Sequence, residues 1–409
     1  MLRFAINPTS DMHINDLRIA LFNYIVSKQK NENLIIRIED IDKEKNIEGR
    51  DKEILDILGL FGVEYSQVAH QSENIRFHSA MALQLIHDKK AFSCFCSTEW
   101  LAGKREEAKV NKKPYRYDDA CSNLLAELVI DNMNPFTIRI KKPTNYQNNV
   151  DSFIIMRQDK TPTYNFASAV DDMLSDISMV IIDENHINNT PKQDHIRTSL
   201  NYDKKIEYLH LPTILGDDTL TIKQLLEDGF LPEAISNYLI STGNKPPKEI
   251  FSLKEAIEWF SLDNISKSPT RFDINMLRYI NNEHLRMLDA KEISRYVGFA
   301  DAEIGELAKI YLKEASTTKE LKSKIEAIFE KKIIPDDFIE QSDILYKIIK
   351  NAPYFEQYGD FKSYLIKESG LKEKDFLIPL RIILTGADHG PDIAVIYKYI
   401  KNYIGEIIK

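Results

Sequence analysis

Cysteine is scarce in this 409-residue chain: only Cys94, Cys96 and Cys121 occur. Three thiols cannot all pair within one chain. Their crowding into one short stretch favours a metal site over a disulfide framework. Long apolar runs are missing as well. No stretch of about 18 or more apolar residues is present, which argues against a membrane-spanning helix. The start, Met1-Leu2-Arg3-Phe4-Ala5, has neither the basic region nor the long apolar core of an export signal. These absences predict a cytoplasmic protein with no membrane partner. Excess positive charge is also lacking, with 54 Lys and Arg against 63 Asp and Glu and a net charge of −9. That speaks against a non-specific nucleic-acid binder. A local basic face acting within an acidic protein stays open. No internal repeat stands out.

What is present has globular composition, 43% hydrophobic and 29% charged. The length suits two to four domains at ~100–200 residues each. The opening reads as strand (2–5), loop (6–13), helix (16–28) and strand (34–38). Leu17, Ala20, Leu21, Tyr24 and Ile25 share one face of that helix at helical spacing. Residues 34–38 are nearly continuously apolar, as in a buried parallel strand. Together they predict a βαβ unit, with any ligand beyond the carboxyl ends of the strands. Helices are expected at 49–60 and 75–90. Residues 91–150 hold the cysteines and a polar, Asn-rich stretch, and read as an insertion. The α/β pattern is expected to resume with a strand at 153–156, a strand at 179–182 and a helix at 191–200. From about residue 217 the pattern is helical to the end.

Five segments, in order, carry a family resemblance. Arg3-Phe4-Ala5-Ile6-Asn7-Pro8-Thr9-Ser10-Asp11-Met12-His13-Ile14 looks like an RFAPSPTG-x-LHIG opening, and residues 18–24 look like R-x-ALFNY. Residues 37–42 look like RIEDTD, and 162–167 with Asp171-Asp172 look like PTYNFA…DD. Residues 379–391 look like LR-x-x-LTG-x-x-HGP. Each is weak alone. Together they resemble the bacterial glutamyl-tRNA synthetases, a class I family, over nearly the whole chain. The resemblance implies an α/β Rossmann-type catalytic domain in two halves (1–90 and 151–216). Between them lies an acceptor-end, zinc-binding insertion (91–150). A helical stem-contact domain (217–296) and an all-α anticodon-binding domain (297–409) follow, in a monomer whose partners are tRNA, glutamate and ATP with Mg2+.

The resemblance also assigns residues. Arg3 would grip the substrate's side-chain carboxylate, which its planar fork suits. Glu39 would accept from the substrate ammonium, and Tyr164 would line the same pocket. His13 would stand near the ATP phosphates as the catalytic donor, with Glu184 also in the nucleotide site. Cys94-x-Cys96 followed by Tyr117-x-x-x-Cys121 looks like the C-x-C…Y-x-x-x-C zinc site of some glutamyl-type synthetases. Three thiolates and a phenol oxygen would complete a tetrahedron.

Departures from the pattern gather at the nucleotide site. Asn15 stands where the family has a Gly that lets adenine approach the backbone. Asn7 and Ser10 replace a Ser and a Gly. Ile182 stands where an Arg would hold the substrate α-carboxylate. The KMSKR loop should join the strand ending Ile214-Leu215 to a helix starting near Ile222. Only Gly216-Asp217-Asp218-Thr219-Leu220-Thr221 connects them, with no basic residue before Lys223. The segment 142–151 reads as shortened. These losses fall on one function. They predict a synthetase-like protein impaired or inactive in glutamate activation that retains tRNA or tRNA-like binding. The alternatives are an active glutamate–tRNA ligase with another Lys in place of the loop, and a non-catalytic binding module using the emptied pocket.

Overall fold

The computed structural model describes residues 1–143, 150–216 and 220–408. The chain divides into two compact units. The first holds Met1–Thr219, Gly243–Lys245 and Lys254–Arg271, and the second holds the remainder.

The first unit is built on a five-stranded parallel sheet. Its strands are β1 (Leu2–Ile6), β2 (Leu34–Ile38), β3 (Gln67–His70), β7 (Met179–Asp183) and β8 (Glu207–Leu211), in the order β3-β2-β1-β7-β8. The expected opening βαβ unit is present. The helix between its strands is α1 (Ile14–Lys30), and it ends at Asn31 with a left-handed φ of 51°. All five residues of its expected apolar face are buried. The helix buries other sides too, because it is wedged against the sheet. Chain order reverses on either side of β1, so the carboxyl ends of β1 and β7 frame the crevice where such sheets take their ligands. Helices α2 (Arg50–Leu60), α3 (Ile75–His87), α6 (Tyr164–Leu174) and α7 (Thr190–Ser199) complete this unit's main helices.

The insertion carries α4 (Thr98–Val110), α5 (Ala126–Ile130) and a three-stranded antiparallel sheet of β4 (Ala91–Cys94), β5 (Thr137–Ile140) and β6 (Phe153–Met156), in that order. This corrects one expectation. Residues 153–156 do form a strand, but it closes the insertion's sheet instead of resuming the parallel one. An apolar tetrapeptide fixes a strand and leaves its partner open. Here β5 offers a free edge, and Ile155 and Met156 pack with Ile140 and Ala91 in one apolar cluster.

A short pairing joins β9 (Ile214–Leu215) to β10 (Thr270–Arg271). Residues 254–271, expected among stem-contact helices, lie in the first unit. Gln29 of α1 donates to the carbonyls of Ile257 and Phe260 at 2.8 and 2.7 Å, and the Phe22 and Phe260 rings meet at 4.7 Å. The connection 216–221 and the segment 142–151 fall partly outside the described residues. No helix among the described residues is long and apolar enough to cross a membrane.

The second unit is helical. Two of its glycines exist for close approach. Gly386 ends the helix Glu373–Thr385 at a φ of 76°, and a Cβ there would meet the Ala327 carbonyl oxygen at 2.5 Å. Gly305 lies in the helix Ala302–Ile310, and a Cβ there would stand 1.7 Å from the Ala290 carbonyl oxygen. Backbone cannot yield that far without parting the helices, so Gly305→Ala should cost roughly 2–3 kcal/mol or more. Thermal melts should show a drop of several degrees. Gly359→Ala, with nothing within 4 Å of the new Cβ, is the control and should leave the melt within about a degree. Equal melts for the two variants would refute the close packing.

Candidate functional site

Two buried arginines dominate the sheet face under α6. Arg3 and Arg37 are each 2% exposed on strands that are otherwise apolar. A buried cation needs a partner, and both find Asp172 of α6. Arg3 grips it with two parallel bonds, Nε to Oδ1 at 2.9 Å and Nη2 to Oδ2 at 3.2 Å. Arg37 donates Nη1 to the same carboxylate at 2.5 Å and Nη2 to Glu39 Oε1 at 3.1 Å. Burial alone would raise the Asp172 carboxyl, but the charges of Arg3 and Arg37 outweigh it and hold it well below the usual carboxylate range. The two cations and two carboxylates balance.

Neighbouring Asp171 is satisfied separately, by Gln71 Nε2 at 2.8 Å, Asn74 Nδ2 at 2.9 Å and His78 Nε2 at 2.8 Å. The role of Asp172 and Arg37 was not read from the sequence, though a signal was there. Two arginines inside apolar strands require buried carboxylates, and Asp171 and Asp172 are the charged residues of α6.

A cavity of ≈ 260 Å³ opens beside this network, lined by residues that include Asn7, Thr9, Glu39, Asp42, Arg157 and Tyr164. Glu39 and Tyr164 therefore line the same cavity. Glu39 also accepts from Ser168 Oγ at 3.3 Å, again on Oε1. Burial and Glu39 push the Tyr164 phenol up. Arg3 is not among the cavity's lining residues. Ile182, where an arginine was expected, packs with Tyr208 against the apolar cluster of Ile35, Ile177, Val180 and Ile206.

At the mouth of the crevice, His13 sits just before α1. Its N–H donates to Asp16 Oδ2 at 3.0 Å, and its Nδ1 is buried without a partner among the described residues. The backbone of residues 212–214 is held by side chains at every step. Arg18 Nη1 donates to the Pro212 carbonyl at 2.7 Å. Glu184 Oε1 accepts from Thr213 N–H at 3.1 Å. Asn15 bonds both backbone groups of Ile214, donating to its carbonyl at 3.2 Å and accepting from its N–H at 3.0 Å. Burial pulls the Arg18 guanidinium down to about 10, against the opposing charge of Asp183.

In the insertion, the three cysteine sulfurs lie within 4.8 Å of one another. Tyr117 Oη stands 3.3 Å from Cys94 Sγ and 3.4 Å from Cys96 Sγ, and Cys96 and Cys121 sulfurs are 3.6 Å apart. The four residues named from the family resemblance thus converge. A fifth, Arg139, was not foreseen. Its Nε lies 3.3 Å from Cys94 Sγ, and its guanidinium covers the Tyr117 ring at 3.9 Å. Burial would raise the Cys94 thiol, yet the hydrogen bonds of Tyr117, the Cys96 backbone and Arg139 bring it down to about 7. A cation beside clustered thiolates offsets their charge, so the donor set fits a tetrahedral thiophilic ion.

Known proteins agree with this architecture. Residues 1–279 match the model of the class I tRNA synthetase (E and Q) catalytic domain. A protein named glutamate–tRNA ligase 2, from Sulfurimonas denitrificans, is 65% identical over 432 aligned positions covering 100% of both chains. One named glutamate–tRNA ligase 1, from a Nitratiruptor species, is 50% identical over the same coverage. Both alignments run 23 positions beyond the chain's 409 residues, so those relatives hold at least that many residues without a counterpart here. A crystal structure of a glutamate tRNA ligase from Elizabethkingia meningosepticum superposes with a TM-score of 0.82 at 22% identity, over 100% of this chain and 98% of that one. With its sheet order, helical second unit and full-length relatives at half identity or better, the chain belongs to the glutamyl-tRNA synthetase family.

Proposed function

We propose that this chain is a glutamyl-tRNA synthetase paralogue that has lost most or all glutamate activation and still binds tRNA. The observation that carries the reading is Ile182. An apolar side chain packed against the cluster of Ile35, Ile177, Val180 and Ile206 stands where the α-carboxylate would need a cation. A carboxylate drawn into that spot unpaired costs roughly 3–5 kcal/mol. The connection 216–221 points the same way, since it offers two Asp and no Lys or Arg to a triphosphate. A loop that must draw charge from pyrophosphate needs cations, so the residues present do not fit that role. Loss of at least 23 positions relative to the ligases is consistent with a shortened phosphate loop. Arg3 is spent on Asp172, while Glu39 and Tyr164 keep an amine-accepting, phenol-lined cavity.

Binding of tRNA is supported by collinearity, from first residue to last, with proteins named for ligating glutamate to tRNA. Filter binding should show tRNA retained at least ~10-fold more tightly than random RNA of equal length, at matched salt. Equal retention would end this half of the reading. Pyrophosphate exchange tests the other half. A second reading, an active glutamate–tRNA ligase, draws on the 65% identity to the Sulfurimonas protein. A variant-sensitive exchange rate would favour it.

Zn2+ belongs to the proposal as a structural ion. Cys94, Cys96 and Cys121 would hold it, with Tyr117 as fourth donor, tying the end of β4 to the loop after α4. Protein purified without chelator should carry about one zinc per chain by elemental analysis. Cys121→Ser should lose most of it and melt earlier. Metal-free protein whose melt ignores both added zinc and chelator would overturn the assignment.

A further inference from the structure

Asn15 makes two hydrogen bonds to a single residue 199 positions away, one to each backbone group of Ile214. Its place gives those bonds meaning. It stands in the first turn of α1, at the carboxyl ends of β1 and β7, where the order of the strands reverses. In an open parallel sheet this crevice is where a mononucleotide lies, beside a helix N-terminus.

The chemistry of the contact is specific. The N–H and C=O of Ile214 form a donor–acceptor edge, the same pair that a carboxamide presents. A carboxamide is the group that reads adenine, accepting from its amino group and donating to a ring nitrogen. The Ile214 edge is therefore complementary to adenine. Asn15 meets it with its own carboxamide, acceptor to N–H and donor to C=O, which is adenine's pattern. The flanking backbone is closed the same way, Pro212 by Arg18 and Thr213 by Glu184.

We propose that the Asn15 side chain is an internal surrogate for a nucleobase, which occupies the Ile214 edge and keeps adenine nucleotides out of the crevice. This rests on the reading that nucleotide chemistry has been lost, and adds the residue that enforces it. A glycine at position 15 would leave the edge open, and an alanine would free its hydrogen bonds while keeping α1 intact.

The test is adenosine binding by equilibrium dialysis to the wild type, Asn15→Gly and Asn15→Ala. Adenosine is the probe because it needs no phosphate loop. The wild type should bind it weakly or not at all. Both variants should gain roughly tenfold or more, the scale of two exchanged hydrogen bonds. Inosine, whose N1 and C6 groups reverse donor and acceptor, should gain nothing. Thermal melts establish that the variants are folded, and Asn15→Ala serves if the glycine weakens α1. A wild type that binds adenosine as well as the variants overturns the proposal. So do folded variants that bind neither nucleoside, or both alike. Failure of the underlying reading looks different: it is glutamate-dependent exchange by the wild type, whatever the variants bind.

Discussion

Glutamate-dependent ATP–pyrophosphate exchange, run with total tRNA present, should proceed at least ~10²–10³-fold more slowly than with a complete glutamyl enzyme. That factor is the general scale for one lost transition-state contact, and the proposed reading has two sets of contacts affected. On the proposed reading, Ile182 stands where the amino acid's α-carboxylate would need a cation, so the reactive carboxylate would not be fixed in line with the α-phosphate. On the same reading, the connection 216–221, which contains no Lys or Arg, would offer no cation to a departing pyrophosphate. Losses of this kind compound when the groups act at different points of the reaction, so a rate indistinguishable from background is the expected reading. The tRNA has to be in the assay, because by family resemblance activation of glutamate depends on it. His13→Ala is the internal control. Its Nδ1 is buried and unpartnered, and its removal should leave the wild-type rate unchanged if no chemistry remains. A wild-type rate clearly above that of His13→Ala means the site works, and the active-ligase reading takes over.

The second large effect is on folding. Asp172→Ala should destabilise the first unit by about 3–5 kcal/mol, because it strands Arg3 and Arg37 in the interior without their shared carboxylate. Denaturant unfolding followed by circular dichroism should show the midpoint fall. Replacing the Arg3–Asp172 pair together, by Met and Leu, should recover much of the loss, since Arg37 keeps Glu39 at 3.1 Å. A single variant no less stable than the double would contradict the charge-balance argument. The same group sets an acid response. Asp172 is held below its ordinary range in the folded protein. The stability it contributes is therefore complete above the unfolded carboxylate value of about 4 and is lost as pH falls further toward the folded value. Wild type and Asp172→Asn should differ fully at pH 7 and converge progressively below about pH 4. A gap that stays constant down to pH 2.5 would mean that another group carries the acid sensitivity.

Much of the catalytic half was legible because its signals are local. A nearly unbroken apolar run gives a buried strand at 34–38, and helical spacing gives the buried face of α1. Motifs in fixed order give the family. The thiol cluster was legible for a related reason. Cys94-x-Cys96 and the later Tyr117-x-x-x-Cys121 match a zinc-site pattern that the family resemblance supplies. The sequence alone thus determined the opening βαβ unit, the helical second half and the family, and it singled out the cysteines that the structure brings together around Cys94.

Tertiary structure decided what each of those residues touches. It joined Arg3 to Asp172 across 169 positions and Asn15 to Ile214 across 199. It set β6 on the edge of β5 and placed Arg139 against Cys94. The reason is physical. Periodicity reports which side of an element avoids water, and that depends on a few neighbouring residues. Which buried cation meets which carboxylate, or which amide fills which backbone edge, depends on where the closed chain brings distant segments together. A buried charge without a partner is costly, and the fold alone specifies the partner that satisfies it.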